Sequence, residues 1–495
     1  MISIRLAAPW LMALLLGALC AIGFAPFAVT LAPTFSLAGL FLLLRRASSV
    51  RNAASLGLAW GAGCFLVGVS WVYISLAQFS GMAAPLAAVA TLLFCLYLAG
   101  YPALAGALFF RWQPKGTNDI WQAALLFAGL WTLSEWLRGT LISGFPWLSV
   151  GYSQGPPSPL AGYAAVLGVY GIGLISALIG ALLAAGWRST FAIVGIVVLV
   201  ATGGLLRSME WTQPSGQPLR INLLQGNIAQ DVKWDPARLK LSIERYIELA
   251  GQKSAPLTVL PETALPLFFH EVPREVLSTL TRHGDAVVGV AVATSEGGYT
   301  NGAVAISPQL QVQAYAKQHL VPFGEYVPTG FDWFFRFARI PLSGFTAGST
   351  GQLPLTIGDQ RIAPNICYED LFGEELLATL SSATLLMNLS NTAWFGDSLA
   401  QPQHLQISQM RALETGRVML RATNTGMTAM ILPDGQVAAT LPAFTSGVLT
   451  VEAQGYSGLT PYAKWGNLLA LVLAAGACIP ALRAKIIKAC SRADQ

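Results

Sequence analysis

Charge is what this sequence has least of. Only 11% of its 495 residues are Asp, Glu, Lys or Arg, against 54% hydrophobic, whereas soluble domains carry about 25% charged residues. That shortfall, with a mean hydropathy of +0.56, excludes an ordinary soluble enzyme. The apolar content excludes a disordered chain. The scarcity is also uneven. Residues 1 to 210 hold 9 Lys/Arg and 3 Asp/Glu, residues 211 to 460 hold 15 and 20, and residues 461 to 495 hold 5 and 1. The net charge of +5 therefore belongs to the two apolar ends, while the middle segment is net −5. A net-acidic middle lacks the clustered Lys/Arg that phosphate neutralisation needs, so no nucleic-acid partner is expected. Histidine is scarce as well. The four, at 270, 283, 319 and 404, show no His-x-x-x-His, and the six cysteines show no Cys-x-x-Cys, so no metal site is expected. No Gly-rich phosphate loop follows a strand, and Gly324 and Gly330 lack the strand-turn-helix setting a nucleotide site requires.

Long apolar runs are what the ends do have. A membrane span takes about 20 mostly apolar residues, and seven such runs precede residue 210: roughly 6–25, 28–44, 54–75, 84–110, 118–137, 160–187 and 189–206, with an eighth at about 465–482. The first resembles a signal peptide in its Arg5 and apolar stretch, but no small-residue cleavage site is clear and more spans follow directly, so it is read as a helix. Short loops carry Arg45, Arg46 and Arg51, then Arg111 and Lys115, then Arg188, and the tail carries Arg483, Lys485, Lys488 and Arg492; with Arg5 these fall on one side, against Arg138, Arg207 and Lys464 on the other. Basic loops stay cytoplasmic, which predicts both termini in the cytoplasm and the 211–460 segment outside. The expected domains are then 1–210, a seven-helix transmembrane region; 211–460, an exported domain; and 461–495, an eighth transmembrane helix with a basic tail. In a bacterium the exported side is the periplasmic face of the inner membrane. Neither ATP nor nicotinamide drives chemistry there, so a reaction on that side must carry its own energy.

Cys367 is the one cysteine between 211 and 460. A disulfide framework needs pairs, so this thiol is either buried filler or a nucleophile. Around it the chain alternates strand-like and helical runs in a layered α/β pattern. Strands are expected at 221–225, 257–261, 286–293, 302–307, 311–315, 361–367, 383–389, 428–432 and 447–451, and helices at 236–250, 274–282, 371–381 and 404–417. Three strand ends each deliver one reactive side chain. Leu257-Thr258-Val259-Leu260-Pro261 ends in Glu262, which fits a base at the mouth of a sheet and equally a first-turn helix cap. Tyr315-Ala316 ends in Lys317, a cation for a developing oxyanion or an ordinary strand-edge lysine. Ile362-Ala363-Pro364-Asn365-Ile366 leads to Cys367 ahead of an expected helix, whose dipole would lower the thiol pKa. A thiol, a carboxylate and an ammonium form a complete acyl-transfer set without histidine.

Five segments extend this pattern: Pro261-Glu262-Thr263-Ala264; the run from Lys317-Gln318-His319 through Pro322-Phe323-Gly324-Glu325-Tyr326 to Pro328; Ile366-Cys367-Tyr368-Glu369; Asn388-Leu389-Ser390-Asn391-Thr392-Ala393-Trp394-Phe395-Gly396; and Arg411-Ala412-Leu413-Glu414. On these words, and on Gly144-Phe145-Pro146-Trp147-Leu148 and the seven-plus-one order of spans, the chain resembles the apolipoprotein N-acyltransferases, the membrane branch of the nitrilase superfamily. The resemblance covers nearly the whole chain. It implies a membrane helical bundle of eight transmembrane helices plus an α-β-β-α nitrilase-like sandwich, with Glu262 as general base, Cys367 as nucleophile and Lys317 as oxyanion stabiliser. It further implies supporting roles for Glu325, Tyr368 and Glu369, and substrate contacts at Trp234, Trp394, Phe395 and Trp147. The implied reaction moves an acyl chain from the sn-1 position of a phospholipid, through a Cys thioester, to the N-terminal amine of a diacylglyceryl-cysteine lipoprotein. The partners are then a phospholipid donor, a diacylglyceryl-modified apolipoprotein acceptor and the lipid bilayer, and no cofactor is required. Glu135 and Arg138, one turn apart, read either as a headgroup-steering pair or as an ion pair at the membrane interface; Trp147 reads either as a lipid contact or as an aromatic anchor.

Two other readings compete. A membrane-anchored nitrilase-type amidase or lipid hydrolase would share the three residues, but tethering it needs one span rather than eight. A transporter with an accessory outer domain would place acidic residues mid-membrane, whereas Asp119 and Glu135 fall near the ends of their runs.

Overall fold

A computed structural model describes residues 2–114, 119–186, 189–230, 239–295, 297–330 and 344–493. The chain divides into two compact units. One comprises Met1–Ser70, Ala88–Met209 and Trp465–Gln495; the other comprises Trp71–Ala87 and Glu210–Lys464.

The first unit is helical. Its long helices are Ile2–Ala21, Ala32–Arg45, Val50–Gly68, Ala84–Trp112, Ile120–Thr140, Ala164–Gly186, Thr190–Arg207 and Leu468–Ala493, the fourth beginning within the segment that joins the second unit. Among the described residues, four helices are long and apolar enough to cross a membrane, or five if the broken pair Val50–Gly68 and Val72–Phe79 makes one span. Small residues let the backbones touch. A Cβ on Gly17 would lie 1.8 Å from the Trp60 carbonyl and one on Gly63 would lie 2.0 Å from that of Leu14, so the first and third helices cross at glycine on both sides, as apolar helices without a hydrophobic drive between them do.

The third apolar run departs from expectation. Instead of continuing to residue 75, its helix stops at Gly68, and Val72–Ile74 and Ser75–Phe79 form short turns belonging to the second unit. The reason is aromatic packing. Trp71 meets Phe395 at 4.6 Å between ring centroids, Phe79 meets Trp394 at 6.2 Å, and the Ser75 hydroxyl donates to the Trp394 carbonyl at 2.7 Å.

The second unit is built on two stacked sheets. The first contains β1 (Gln213–Gln225), β2 (Leu257–Val259), β3 (Leu265–Phe268), β4 (Asp285–Ala293), β5 (Tyr299–Ile306), β6 (Val312–Ala316) and β13 (Gly447–Ser457), in the order β13-β1-β2-β4-β5-β6 with β3 on β4. The second contains β7 (Leu355–Ile357), β8 (Gln360–Ile366), β9 (Leu385–Ser390), β10 (Met419–Thr423), β11 (Ala429–Ile431) and β12 (Val437–Thr440), in the order β12-β11-β10-β9-β8-β7. Strands β1, β2 and β4 run parallel, as do β8, β9 and β10.

Side-chain alternation along the strands explains the layering. Ile221, Leu223 and Val287 of the first sheet meet Ile362, Met387 and Leu420 of the second in one buried cluster. The opposite faces are covered separately. Leu224, Val288 and Val290 pack with Tyr246 and Leu249 of the helix Leu239–Gln252, and Leu386, Met419 and Ile431 pack with Leu405 and Ala412 of the helix Ala400–Thr415. The result is a helix-sheet-sheet-helix sandwich. Two expectations fail locally. The 371–381 helix shrinks to Leu377–Leu380, preceded by a 3₁₀ turn at Cys367–Leu371, and β3, β7, β10 and β12 fall where no strand was expected.

Candidate active site

Three strand ends converge. Glu262 lies three residues beyond β2, Lys317 directly follows β6 and Cys367 directly follows β8. All three are buried. Lys317 Nζ is 3.4 Å from Glu262 and 2.9 Å from Glu325, and the Cys367 thiol feels the charges of Glu262, Lys317 and Glu325.

Each group is fixed from both sides. Asn301 on β5 donates one amide nitrogen to Glu262 Oε1 and to Glu325 Oε1, both at 2.8 Å, and the Asn391 backbone N–H donates to Glu262 Oε2 at 2.8 Å. The Val321 N–H reaches the other Glu325 oxygen at 2.8 Å. Gly289 on β4 makes room for the loop that carries Glu262: a Cβ there would stand 2.2 Å from the Pro261 carbonyl oxygen and 2.6 Å from Glu262 Cα.

Electrostatics follow from that burial. Burial alone would depress the Lys317 ammonium, but Glu325 and Glu262 outweigh it and hold the pKa above the ordinary lysine value, so the cation is charged. The thiol goes the other way. Burial pushes the Cys367 pKa well up and Glu262 adds to the rise, with Lys317 opposing. This corrects the expectation of a dipole-lowered thiol: the helix behind Cys367 is a five-residue 3₁₀ turn, too short for a substantial dipole. Cys367 is thus held as a neutral thiol, and to act as a nucleophile it would need a base. Its φ of +53° is a left-handed conformation that side-chain-bearing residues seldom adopt and that concentrates at functional sites.

Glu369 ties the lysine and cysteine segments together. Its Oε1 accepts from Tyr315 OH at 2.9 Å, Gln318 N at 2.6 Å and His319 N at 3.2 Å, and its Oε2 accepts from Ile366 N at 2.6 Å. Burial raises its pKa to about 7 against the pull of Lys317 and three backbone N–H groups. Tyr368 is buried beside Phe372 and His319.

The aromatic candidates lie elsewhere in the sequence order. Trp394 and Phe395 form the half-buried turn after β9, packed on the 71–79 segment. Trp147 is 1% exposed and stacks on Phe145 inside the helical unit; in this structure it is a packed side chain rather than a surface anchor. Trp234 lies outside the described residues. Arg138 donates to the Phe145 and Trp147 carbonyls at 2.6 Å each, and Glu135 accepts from Val150 N at 2.9 Å, so both brace the 141–151 loop where an interface ion pair was one expectation.

The sequence reading missed Asn301 and Asn391, and missed Asp370, Asn388, His404 and Arg421 beneath Cys367. The available signal was a polar residue inside an otherwise apolar strand: Asn388 in Leu385–Ser390 and Arg421 in Met419–Thr423. Among the described residues no three His, Cys, Asp or Glu side chains gather as a metal site.

A buried thiol beside a carboxylate and an ammonium can form and resolve an acyl-cysteine. Comparison with known proteins gives the family. Residues 16–182 match the family model described as Apolipoprotein N-acyltransferase N-terminal domain, and residues 220–462 match Carbon-nitrogen hydrolase. A protein named Apolipoprotein N-acyltransferase from Ralstonia nicotianae is 46% identical over 481 residues, covering 94% of this chain and 91% of its own. One of the same name from Nitrosomonas europaea is 45% identical over 473 residues, covering 92% and 94%. With both modules matched and relatives aligned nearly end to end, the chain belongs to the apolipoprotein N-acyltransferase family.

Proposed function

We propose that this chain transfers an acyl group from the sn-1 position of a phospholipid to the N-terminal amine of a diacylglyceryl-cysteine lipoprotein, by a ping-pong route through a thioester on Cys367. The observation that carries the reading is the buried thiol held among Glu262, Lys317 and Glu325. In the first half, Glu262 takes the thiol proton as Sγ attacks the ester carbonyl, and Lys317 faces the negative oxygen. Collapse breaks the ester C–O bond, and the leaving lysophospholipid oxygen takes the proton back. In the second half the lipoprotein amine attacks the thioester, loses a proton to Glu262 and expels the thiolate, which is reprotonated. Ester to thioester to amide consumes only the acyl donor, which suits a compartment without ATP.

The remaining parts of the reading concern place. Eight spans, both termini in the cytoplasm and the second unit on the periplasmic face of the inner membrane follow from the apolar runs and the eleven basic residues on one side. Both substrates carry lipid chains, and each CH₂ kept out of water on the way to Cys367 is worth roughly 0.8 kcal/mol. Trp394 and Phe395, with Trp234, are the proposed substrate contacts.

Intact mass of the detergent-purified protein tests this. Phospholipid should add one acyl chain, and a diacylglyceryl-cysteine peptide should then remove it and become N-acylated. Decay of the acyl-enzyme to free fatty acid at one rate with or without peptide would make the protein a lipid hydrolase instead. Glu262→Gln keeps the side-chain shape but removes the proton acceptor, and general-base catalysis contributes about 10²–10⁴-fold; acyl-enzyme formation should slow by at least ~10²-fold. Unchanged acylation would move the base elsewhere, with Glu325 the nearest candidate.

A further inference from the structure

A second buried polar cluster lies beneath Cys367, and the acyl-transfer scheme leaves it unused. It joins five residues from four elements: Asp370 on the 3₁₀ turn, His404 and Ser408 on the helix Ala400–Thr415, Arg421 on β10, and Asn388 on β9. None is more than 1% exposed. Asp370 Oδ1 is 2.8 Å from His404 Nε2, and its Oδ2 accepts from Ser408 Oγ at 2.5 Å and from Arg421 Nη1 at 3.2 Å. Arg421 Nη2 is 2.7 Å from His404 Nδ1.

These contacts determine the state of the ring. A guanidinium has donors only, so Nδ1 must accept, and the single imidazole proton sits on Nε2. Burial and the Arg421 charge both hold the His404 pKa below its usual value, in keeping with a neutral ring. With Nδ1 engaged and Nε2 protonated, His404 has no lone pair to offer the thiol. What it offers is a donor, and Nε2 is also 3.2 Å from the Cys367 carbonyl oxygen, which Asn388 Nδ2 approaches at 3.3 Å.

We infer that His404, set by Asp370 and Arg421, is a positioning residue that clamps the Cys367–Tyr368 peptide in the orientation from which the thiol attacks. The peptide is planar and trans, so fixing its oxygen on the core side aims the Tyr368 N–H the opposite way and fixes the plane attached to the Cys367 Cα. The clamp is needed because Cys367 holds φ at +53°, a conformation that persists only where its surroundings enforce it.

The inference rests on the thioester reading, and the wild-type protein run alongside separates the two: absence of wild-type acyl-enzyme would defeat that reading itself. The test compares His404→Ala and His404→Gln for two rates, acyl-enzyme formation from phosphatidylethanolamine in detergent micelles and alkylation of Cys367 by iodoacetamide. A reacting atom displaced by about 1 Å costs on the order of 10²-fold, so His404→Ala should acylate ~30- to 100-fold more slowly, with the lipid concentration at half-maximal rate unchanged. Alkylation, which needs neither the oxyanion nor an aligned carbonyl, should stay within about 2-fold. The glutamine Nε2 falls near the imidazole Nε2 and keeps a donor on the carbonyl, so His404→Gln should recover most of the acylation rate. Acylation of His404→Ala within about 3-fold of wild type would overturn the clamp. So would alkylation falling in step with acylation, which would give His404 a proton-transfer role. A glutamine variant that folds, by its thermal midpoint, yet acylates no faster than the alanine variant would overturn it as well.

Discussion

Cys367→Ala ends acylation: incubated with phospholipid, the variant gains no mass where the wild type gains one acyl chain. Among residues 211 to 460 there is no second cysteine to substitute for it. Removing the nucleophile of a covalent mechanism costs at least about 10⁴-fold, because binding and oxyanion stabilisation alone remain. Folding should survive. Alanine keeps a Cβ, so the strain at φ +53° is unchanged, and the lost atom is one sulfur that makes no ion pair. The variant should also remain able to bind phospholipid, which makes it the right protein in which to trap a donor complex. A thioester retained in Cys367→Ala would remove Cys367 from the mechanism and defeat the proposed function with it.

The part of the site that was legible in sequence was legible for a physical reason. Glu262, Lys317 and Cys367 each stand just past a strand-like run, and a side chain placed just past a strand end lies at the sheet mouth. The layered α/β pattern was legible because the strand expected at 286–293 is an unbroken apolar run that appears as β4, and the one expected at 361–367 appears as β8 although Arg361 and Asn365 interrupt its apolar residues. What failed depended on partners remote in sequence. The strand β10 was hidden by Arg421, a charge tolerated there only because Asp370 lies 51 positions away in the chain and 3.2 Å away in space. Asn301 reads as a loop residue until Glu262 and Glu325 are seen on either side of it. The expected helix at 371–381 is interrupted where Gly373 meets Arg411, Tyr462 and Glu414 at distances that leave no room for a Cβ. Hydropathy runs smoothly from Ala54 through Ser75, so nothing local announces that the helix stops at Gly68. Only Trp394 and Phe395, more than 300 residues later, account for it.

Lys317→Met carries the second large effect, and it acts on stability and rate together. Lys317 is 1% exposed between two carboxylates, and removing one partner from a buried ionic group costs about 3–5 kcal/mol because the remaining charges lose their counter-ion. Methionine keeps much of the length and packing, so the loss reports charge rather than a cavity. Glu369 gives the pH dependence its sign. Its folded pKa is raised from 4.5 to about 7, with Lys317 the largest influence pulling it down. A carboxyl raised in this way contributes stability that is fully present below about pH 4.5 and is lost as pH rises through 7. Without the lysine the ionised form is more costly still, so the gap in thermal midpoint between variant and wild type should widen from pH 5 to pH 8. An equal gap at both pH values would mean that Lys317 matters to the fold by packing alone. Acylation should fall by about 10²–10³-fold even where the variant is folded, the size of effect produced by removing one oxyanion donor. A folded Lys317→Met that acylated at the wild-type rate would show that the tetrahedral oxygen is stabilised by another group, and Lys317 would keep only its place as counter-ion to Glu262 and Glu325.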